Sequence, residues 1–258
     1  MYLTPRHNEI LELAKERGRV LVDDLAALFN VTPQTIRKDL NDLCQQQLLT
    51  RIHGGALYPS GVENLQYEAR RQIAAQEKEA IGAAAAELIP DGASLFINIG
   101  TTTEAVSQAL LDRKALMVIT NNINVANRMR VYQGMEVVIA GGVVRGSDGG
   151  IVGEAAVDFI RQFKVDFAVI GTSAIDRDGA LLDFDFREVK VAQAIIANAR
   201  HVILVSDSTK FERTAPVRIG HLSQVHTFIT DYCPDPGIRE ICRENKVRLI
   251  ETARVPVS

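Results

Sequence analysis

The segment INIGTTTEAVSQAL, residues 97–110, brings three hydroxyl groups to the predicted start of a helix. Apolar residues up to Ile99 predict a strand, a glycine makes the turn, and the threonines lead into the helix. The first backbone amides of a helix have no intrahelical acceptor, and the helix dipole favours negative charge beside them. These features suit a phosphate group, whereas an ordinary helix cap needs only one threonine. The predicted phosphate-binding residues are Gly100, Thr101, Thr102 and Thr103.

Groups suited to the same ligand follow several other predicted strands. Two asparagines after ALMVIT could bond the hydroxyls of a sugar or polyol, and two glycines after MEVVIA allow close backbone approach. An arginine and a lysine add positive charge, although each taken singly is more typical of a solvated surface. In an open parallel sheet, ligands bind beyond the carboxyl ends of the strands, so these segments should converge. The further residues predicted to contact the ligand are Asn121, Asn122, Gly141, Gly142, Arg145 and Lys210.

A second candidate site lies in the segment VTPQTIRKDL, residues 31–40, where a Thr-Pro pair suits the first positions of a helix. Ile36, Leu40 and Leu43 recur at helical spacing, so they share an inward face. The opposite face is polar and basic, and its side chains could bond base edges or phosphates from the major groove. The alternative is a solvated amphipathic helix. The residues predicted to contact DNA from this helix are Gln34, Thr35, Arg37, Lys38 and Asn41.

The elements around this helix favour DNA binding over the solvated alternative. Two further helices are predicted before it, the first of them also opened by a Thr-Pro pair. After it, LLTRIHGGALYP predicts a hairpin around Gly54 and Gly55. Such a hairpin would form a wing, and its predicted DNA contacts are Arg51 and His53.

The remainder of the chain predicts a larger second domain. Helical patterns alternate with the apolar segments SLFINI, ALMVIT, MEVVIA, DFAVIG, HVILVS and HTFIT. Apolar strands separated by helices predict a mostly parallel sheet covered on both faces, so the fold class is α/β. We predict a winged helix-turn-helix domain over residues 1–58, a polar linker over 59–76 and an α/β sensing domain over 77–258.

Composition narrows the class of protein further. The chain has 258 residues, a formal net charge of −3 and a pI of about 6.0, which by themselves do not indicate a nucleic-acid-binding protein. Its cysteines, Cys44, Cys233 and Cys242, lack metal-ligand spacing, and we predict neither a metal nor another cofactor. No leader-like segment and no apolar run of about 18 residues is present. We therefore expect a cytoplasmic protein that does not enter a membrane.

Residues 4–57 resemble the winged helix-turn-helix of the DeoR family of bacterial repressors, through LAALFNVTPQTIRKDLNDLCQQQLLTRIHGGA. The larger domain resembles the ribose-5-phosphate isomerase fold, whose phosphate loop also follows a Pro-x-Gly and a strand, as in IPDGASLFINIGTTTEA. In that resemblance Thr209 and Lys210 match a Ser-Lys pair, and Lys78 is weakly suggested as a neighbour of the phosphate. The resemblance implies a repressor that leaves its DNA operator when a phosphorylated metabolite binds.

Within the family, residues 5–231 resemble repressors of glycerol catabolism. This implies glycerol 3-phosphate as the effector, double-stranded operator DNA as the target, and a homotetramer or homodimer as the assembly. The residues alone indicate only a small phosphorylated polyol or sugar. One departure from many DeoR relatives is Asn98, which replaces an aspartate and so adds a hydrogen-bond donor.

A sugar-phosphate isomerase with an accessory DNA-binding domain is the alternative prediction. Isomerisation needs a carboxylate base, but residues 170–174 read Ile-Gly-Thr-Ser-Ala where the isomerase has Asp-Gly-Ala-Asp-Glu. Glu188, Asp183 and Asp185 lie nearby in sequence, yet Glu188 falls at a predicted helix start, where acidic residues are common. We therefore expect a regulator that is not an enzyme.

Overall fold

The computed structural model describes residues 3–17, 19–46, 48–52, 54–58 and 67–252. The chain divides into two compact units, Met1–Ile73 and Ala74–Ser258. A helix at Tyr67–Gln72 lies within the segment predicted as a linker and belongs to the first unit. The borders of that linker stay a prediction.

The first unit is a winged helix-turn-helix, as predicted. Its three longest helices pack around Ile10, Leu25, Ile36, Leu40 and Leu43, which are almost fully buried. The predicted hairpin is present, and a third short strand that the sequence did not predict pairs antiparallel with it. The elements are α1 (Pro5–Arg17), β1 (Arg19–Leu21), α2 (Val22–Phe29), α3 (Pro33–Gln45), β2 (Thr50–Ile52), β3 (Gly55–Leu57) and α4 (Tyr67–Gln72).

Helix α3 begins as its sequence predicts. The Thr32 side chain accepts a hydrogen bond from the Thr35 amide at 3.2 Å, and proline occupies the first turn. The preceding turn is short because Asn30 adopts a left-handed conformation, with φ 50°, at the end of α2. The polar face of α3 is therefore presented by a capped helix whose apolar stripe is buried.

The second unit is an α/β fold with a seven-stranded parallel sheet in the order β15-β14-β12-β9-β4-β5-β6. Its helices are α5 (Ala75–Glu87), α6 (Thr101–Ala109), α7 (Ile123–Met129), α8 (Glu154–Ile160), α9 (Phe186–Ala197) and α10 (Pro236–Glu244). The strands of this sheet are β4 (Ser94–Ile97), β5 (Met117–Thr120), β6 (Glu136–Ile139), β9 (Val165–Ile170), β12 (Ala199–Val205), β14 (Thr227–Thr230) and β15 (Arg248–Glu251).

Two apolar clusters cover the two faces of the sheet, which confirms the predicted layering. Phe96 belongs to one cluster and its neighbours Leu95 and Ile97 to the other, as expected when successive side chains alternate. Edge strand β15 and two small sheets were not predicted, because their strands are only two to five residues long. The small sheets contain β7 (Val143–Val144) with β8 (Ile151–Val152), and β10 (Ala174–Ile175) with β11 (Ala180–Asp183) and β13 (Val217–His221).

The strand register brings the predicted site segments to one edge of the large sheet. Ile97 of β4 pairs with Thr120 of β5 and with Val169 of β9, and Leu204 of β12 pairs with Ile170. The residues that follow these strands therefore lie at the same level, with neighbouring strands about 4.8 Å apart. This carboxyl edge is where the predicted ligand site must be built.

Candidate functional sites

The polar face of α3 forms an open groove in the first unit. Gln34, Arg37, Lys38 and Asn41 are exposed, whereas the half-buried Thr35 has its hydroxyl 2.9 Å from that of Thr32. The groove has a volume of about 800 Å³, and the other residues that line it are Thr4, Arg6, His7, Thr32, Asp39 and Asp42. Side chains that donate and accept hydrogen bonds from one exposed helix face suit contacts with DNA.

Of the two wing residues predicted to contact DNA, the structure describes Arg51. Arg51 is exposed on β2, and its Nη1 donates a 3.1 Å hydrogen bond to the carbonyl of Gly55. This contact leaves the remaining guanidinium donors at the surface, where they could meet a phosphate. His53 lies outside the described residues.

A buried carboxylate that the sequence prediction missed links α1 to α3. Arg6 donates from Nε to Asp39 Oδ2 at 2.6 Å and from Nη2 to Oδ1 at 3.1 Å, and Nε2 of His7 lies 3.2 Å from Oδ1. Asp39 is only 5% exposed. Bidentate pairs with arginine hold geometry well, so this contact fixes the first turn of α1 against the outward face of α3.

The threonine loop has the predicted strand-turn-helix form. Gly100 precedes α6 with φ 146°, a conformation that side chains disfavour. The Thr103 hydroxyl lies 2.7 Å from the Asn98 carbonyl and 2.8 Å from that of Gly100, within hydrogen-bond reach of both, and its contact with a ligand stays a prediction. Thr103 is fully buried and braces the loop, while its backbone amide remains part of the helix start. Thr101 and Thr102 occupy the same first turn.

Three buried side-chain oxygens at this edge have no hydrogen-bond partner among the described residues. They are Oδ1 of Asn98, Oδ1 of Asn121 and Oδ2 of Asp207, which follow β4, β5 and β12. The orientation of Asn121 is set because its Nδ2 donates to the Ile151 carbonyl at 3.2 Å. Buried acceptors without a donor are rare in folded proteins, so three at one edge indicate a place for a ligand that supplies donors.

Positive charge lies beside these oxygens. The Nζ atom of Lys78 is 3.7 Å from Asp207 Oδ2, and both side chains are buried. Burial alone would raise the pKa of Asp207, but Lys210, Lys78 and a hydrogen bond from Thr209 together lower it. Asp207 is therefore an anion held between two ammonium groups. Lys210 is itself only 8% exposed, which removes it from the class of solvated surface lysines.

Helix packing brings Lys78 to the threonine loop. A Cβ atom on Gly82 of α5 would lie 2.8 Å from the backbone of Ala105 in α6, so the two helices touch along their backbones. Lys78 is one turn before Gly82, and Thr101 is one turn before Ala105. Both helices begin at the carboxyl edge of the sheet, and the lysine therefore lies beside the first turn of α6. Sequence resemblance suggested Lys78 only weakly, and no local pattern identifies it.

The Asn122 side chain makes internal hydrogen bonds, and its contact with a ligand stays a prediction. Its Oδ1 accepts from the amides of Asn124 and Val125 and so caps α7. Its Nδ2 donates to Glu104 Oε1 at 3.1 Å. The oxygen and the nitrogen of this side-chain amide are therefore both bonded, and the bonds link α6 to α7 beneath the site.

The guanidinium of Arg145, another residue predicted to contact the ligand, is held by three acidic side chains. Hydrogen bonds of 2.6 Å join its Nη2 to Asp148 Oδ2 and to Glu188 Oε2, and Nη1 donates to Asp185 Oδ2 at 3.2 Å. Burial alone would lower the pKa of Arg145, but the hydrogen bonds and charges of Asp148 and Glu188 raise it above its ordinary value. A phosphate would have to displace these side chains to reach Arg145, and contact of Arg145 with a ligand stays a prediction.

The same cluster holds a carboxyl group with a strongly raised pKa. Burial, together with the charge of Asp183, raises the pKa of Glu188 to about 8, although Arg145 acts in the opposite direction. Asp185 behaves differently because hydrogen bonds from Arg187 and Arg145 lower its pKa to about 2. Three carboxyl groups, of Asp148, Asp185 and Glu188, thus share Arg145 and Arg187, and Glu188 is the one that keeps its proton near neutral pH.

The two glycines after β6 differ in their surroundings. Both are exposed, and no described atom lies within 4 Å of a Cβ built on Gly141. A Cβ on Gly142, where φ is 150°, would lie 3.0 Å from the Ile151 side chain and from the Val152 carbonyl. The close approach at Gly142 therefore serves the packing of β7 on β8. Contact of either glycine with a ligand stays a prediction.

Comparison with known proteins assigns both units. Residues 6–62 match the DeoR-like helix-turn-helix domain, and residues 73–232 match the DeoR C-terminal sensor domain. The chain belongs to the DeoR family. It is 47% identical over 249 residues to the glycerol-3-phosphate regulon repressor of Escherichia coli strain K12, covering 96% of this chain and 99% of that protein.

Other relatives agree with a regulatory role. The glycerol-3-phosphate regulon repressor of Haemophilus influenzae is 47% identical over 245 residues, which is 95% of each chain. The HTH-type transcriptional repressor CsqR of Escherichia coli is 40% identical over 246 residues, covering 95% of this chain and 94% of that protein. Like these relatives, the chain is a DNA-binding transcriptional regulator and not an enzyme, so the isomerase alternative is set aside.

A solved ribose 5-phosphate isomerase from Methanocaldococcus jannaschii superposes with a TM-score of 0.41 and 14% identity, over 54% of this chain and 55% of that one. Within the described ranges, no helix is long and apolar enough to cross a membrane. Those ranges also contain no group of three acidic, histidine or cysteine side chains placed to hold a metal ion.

Proposed function

We propose that this chain represses genes of glycerol catabolism and releases their operators when glycerol 3-phosphate binds its sensor unit. The identity of 47% to two glycerol-3-phosphate regulon repressors supports the choice of regulon. The observation that carries the effector site is the group of three buried oxygens that accept no hydrogen bond from the described residues, beside two buried lysines, one of which forms an ion pair with Asp207. We call this group, with Gly100, Thr101 and Thr102, the strand-end site.

The chemistry of the strand-end site matches a phosphorylated polyol. The phosphate would take the amides at the start of α6, close to Lys78 and Lys210, where the helix dipole and the ammonium charges favour an anion. The hydroxyl groups would donate to Oδ1 of Asn98 and Oδ1 of Asn121, which accept no bond from the described residues. Asn98 therefore serves as an acceptor, as an aspartate would, but without adding negative charge near the phosphate.

Release of DNA requires the effector to favour one conformation of the protein over another. We propose that the chain acts as a homo-oligomer whose paired heads bind half-sites about 34–36 Å apart. Ligand capture at the strand ends would change the spacing of those heads. A coupling free energy of about 1–3 kcal/mol corresponds to a roughly 5–150-fold loss of operator affinity.

The test is a fluorescence-anisotropy titration of labelled operator DNA with the full-length protein, with and without glycerol 3-phosphate. Affinity should fall with glycerol 3-phosphate and stay constant with glycerol or inorganic phosphate at equal concentration. An operator affinity that is the same in all four conditions contradicts the effector proposal.

Single substitutions test separately the contacts proposed for the phosphate and for the hydroxyl groups of the ligand. Lys210→Ala should weaken glycerol 3-phosphate binding by about 30-fold or more, because a buried charge pair is worth about 2 kcal/mol or more. Asn121→Ala should remove an acceptor for a hydroxyl and weaken binding less. Lys190→Ala is the matched control, since Lys190 is exposed and pairs with Glu154 on the surface. All three variants should bind the operator normally without ligand, and equal ligand responses would contradict the assignment.

A further inference from the structure

The outer edge of strand β6 is unusually open for the edge of a parallel sheet. The amides of Glu136 and Ala140 bond inward to Leu116 and Thr120, which flank and end β5. Because the direction alternates along a strand, the N–H and C=O groups of Val137 and Ile139 point outward. Within the described part of the chain, β6 pairs with β5 alone.

Apolar side chains flank both ends of this edge. Val131 and Tyr132, before β6, are 64% and 40% exposed. Ile139 at its end, followed by Val143 and Val144 in β7, is 43% exposed, and the two valines are 64% and 51% exposed. We call these five residues together with β6 the β6 edge. Exposed apolar groups along an unpaired strand are typical of an interaction surface.

The opposite edge of the sheet is protected in the ordinary way. On β15, Glu251 accepts two hydrogen bonds from Arg239, at 2.6 and 2.7 Å, and Arg248 is exposed. Charges placed on an edge strand discourage pairing with another chain. The β6 strand has Glu136 as its single charged residue, so the two edges of one sheet differ in the property that controls association.

We propose that the β6 edge is an interface between two copies of this chain, whose β6 strands pair antiparallel about a twofold axis at Val138. This inference rests on the proposed function and names the surface through which the proposed homo-oligomer would form. Val137 of one copy then lies opposite Ile139 of the other, and the two residues exchange both of their outward hydrogen bonds. This single twofold rotation pairs the outward-facing N–H and C=O groups of Val137 and Ile139 in both copies.

The flanking residues fit the same operation. Val131 and Tyr132 precede β6, whereas Val143 and Val144 follow it, so antiparallel pairing brings the first pair of one copy to the second pair of the other. Such a surface is complementary to itself, as a twofold interface must be. A second copy is also the partner that paired operator half-sites require.

Disulfide trapping in the full-length protein tests the register. On the twofold axis, two Val138 residues form a pair without hydrogen bonds, with Cα atoms about 4.5 Å apart, within disulfide range. Val138→Cys should therefore give a covalent dimer on mild oxidation. Ile139→Cys is the matched control, because its copy lies diagonally, about 8 Å away, which is beyond that range. Unsubstituted protein under the same oxidant controls for Cys44, Cys233 and Cys242.

Light scattering after size exclusion tests the contribution of the edge to assembly. Ile139→Lys places a charge on the pairing edge and should raise the dissociation constant by more than about tenfold. Tyr232→Lys is the control, since Tyr232 is 45% exposed in the same unit but lies outside the β6 edge. Cysteine and valine are similar in size, so the trapping test remains valid if Ile139→Lys does not fold.

The outcomes distinguish this inference from the proposed function. An oligomer that keeps its mass with Ile139→Lys and shows no preference for trapping at residue 138 overturns the interface and leaves effector control intact. A wild-type protein that is monomeric at micromolar concentration overturns the interface and the homo-oligomer together. A wild-type protein that forms the dimer but keeps the same operator affinity with glycerol 3-phosphate would instead contradict the strand-end site.

Discussion

Glu188 gives a quantitative prediction, because it is a buried carboxyl group whose pKa of about 8 lies far above the ordinary value of 4.5. The folded protein holds the proton more tightly than the unfolded chain. The stability that Glu188 contributes is therefore fully present below about pH 4.5 and is lost as pH rises to about 8. Each pH unit within that window corresponds to about 1.4 kcal/mol, so the loss from pH 5 to pH 8 is about 4 kcal/mol.

The substitution Glu188→Gln isolates this effect. Glutamine keeps the size of the side chain and stays neutral, so the variant should lose about 4 kcal/mol less than wild type between pH 5 and pH 8. For a domain of this size, 1 kcal/mol shifts the melting temperature by about 2–4 °C, so the two curves should separate by about 8–16 °C. Asp185 does not interfere, because a carboxyl group with a pKa near 2 stabilises the fold above its unfolded pKa and loses that effect only in stronger acid.

The assay is thermal or urea unfolding of wild type and variant, followed by circular dichroism at half-unit intervals from pH 5 to pH 8.5. Glu154→Gln is the matched control, because Glu154 is exposed, pairs with Lys190 and has a lowered pKa. Its difference from wild type should stay constant across the range. Parallel profiles for wild type and Glu188→Gln would refute the reasoning, as would a carbon NMR titration that shows Glu188 ionised at pH 6.

Three further substitutions test the other contacts. Arg37→Ala should weaken operator binding without changing ligand affinity. If Arg37 binds a phosphate, anisotropy at several salt concentrations should show that the dependence of log affinity on log salt falls by about one. If Arg37 instead contacts a base, discrimination at one base pair should fall by about 1–3 kcal/mol. Asp39→Asn should destabilise the first unit by about 1–3 kcal/mol in urea unfolding, because the pair with Arg6 loses its charge; an unchanged midpoint would contradict a role in holding α3. Thr103→Val should destabilise the sensor unit by about 1 kcal/mol and weaken effector binding in a thermal-shift titration, and normal binding would show that the loop needs no brace.

Most of the fold follows from local sequence patterns. The Thr-Pro pair at Thr32 and the buried stripe through Ile36 and Leu40 predict α3 because capping and periodicity act within a few residues. The apolar runs predict the central strands of the sheet for the same reason. Strand β15 and the small sheets were missed because strands of two to five residues carry too little of that pattern.

The strand-end site was only partly predictable. Gly100 and the threonines stand in one continuous motif, so their position follows from the sequence. Lys78 enters from α5, which Gly82 allows to touch α6, and its Nζ lies 3.7 Å from Asp207 Oδ2. No spacing along the chain encodes that approach.

Two side chains show why residue type alone misleads. Arg145 and Asn122 have the chemistry of ligand contacts. In the fold, however, Arg145 bonds to three acidic side chains, whereas Asn122 caps the start of α7 and donates to Glu104. The sequence by itself determined the helices of the first unit, the central strands of the large sheet, which family the chain resembles and which residue types meet at the sheet edge. Only the tertiary structure decided which of those polar groups are already satisfied. Glu104 is 18 residues from Asn122, and Asp185 and Glu188 are 40 and 43 residues from Arg145, so these hydrogen bonds depend on distances that folding creates.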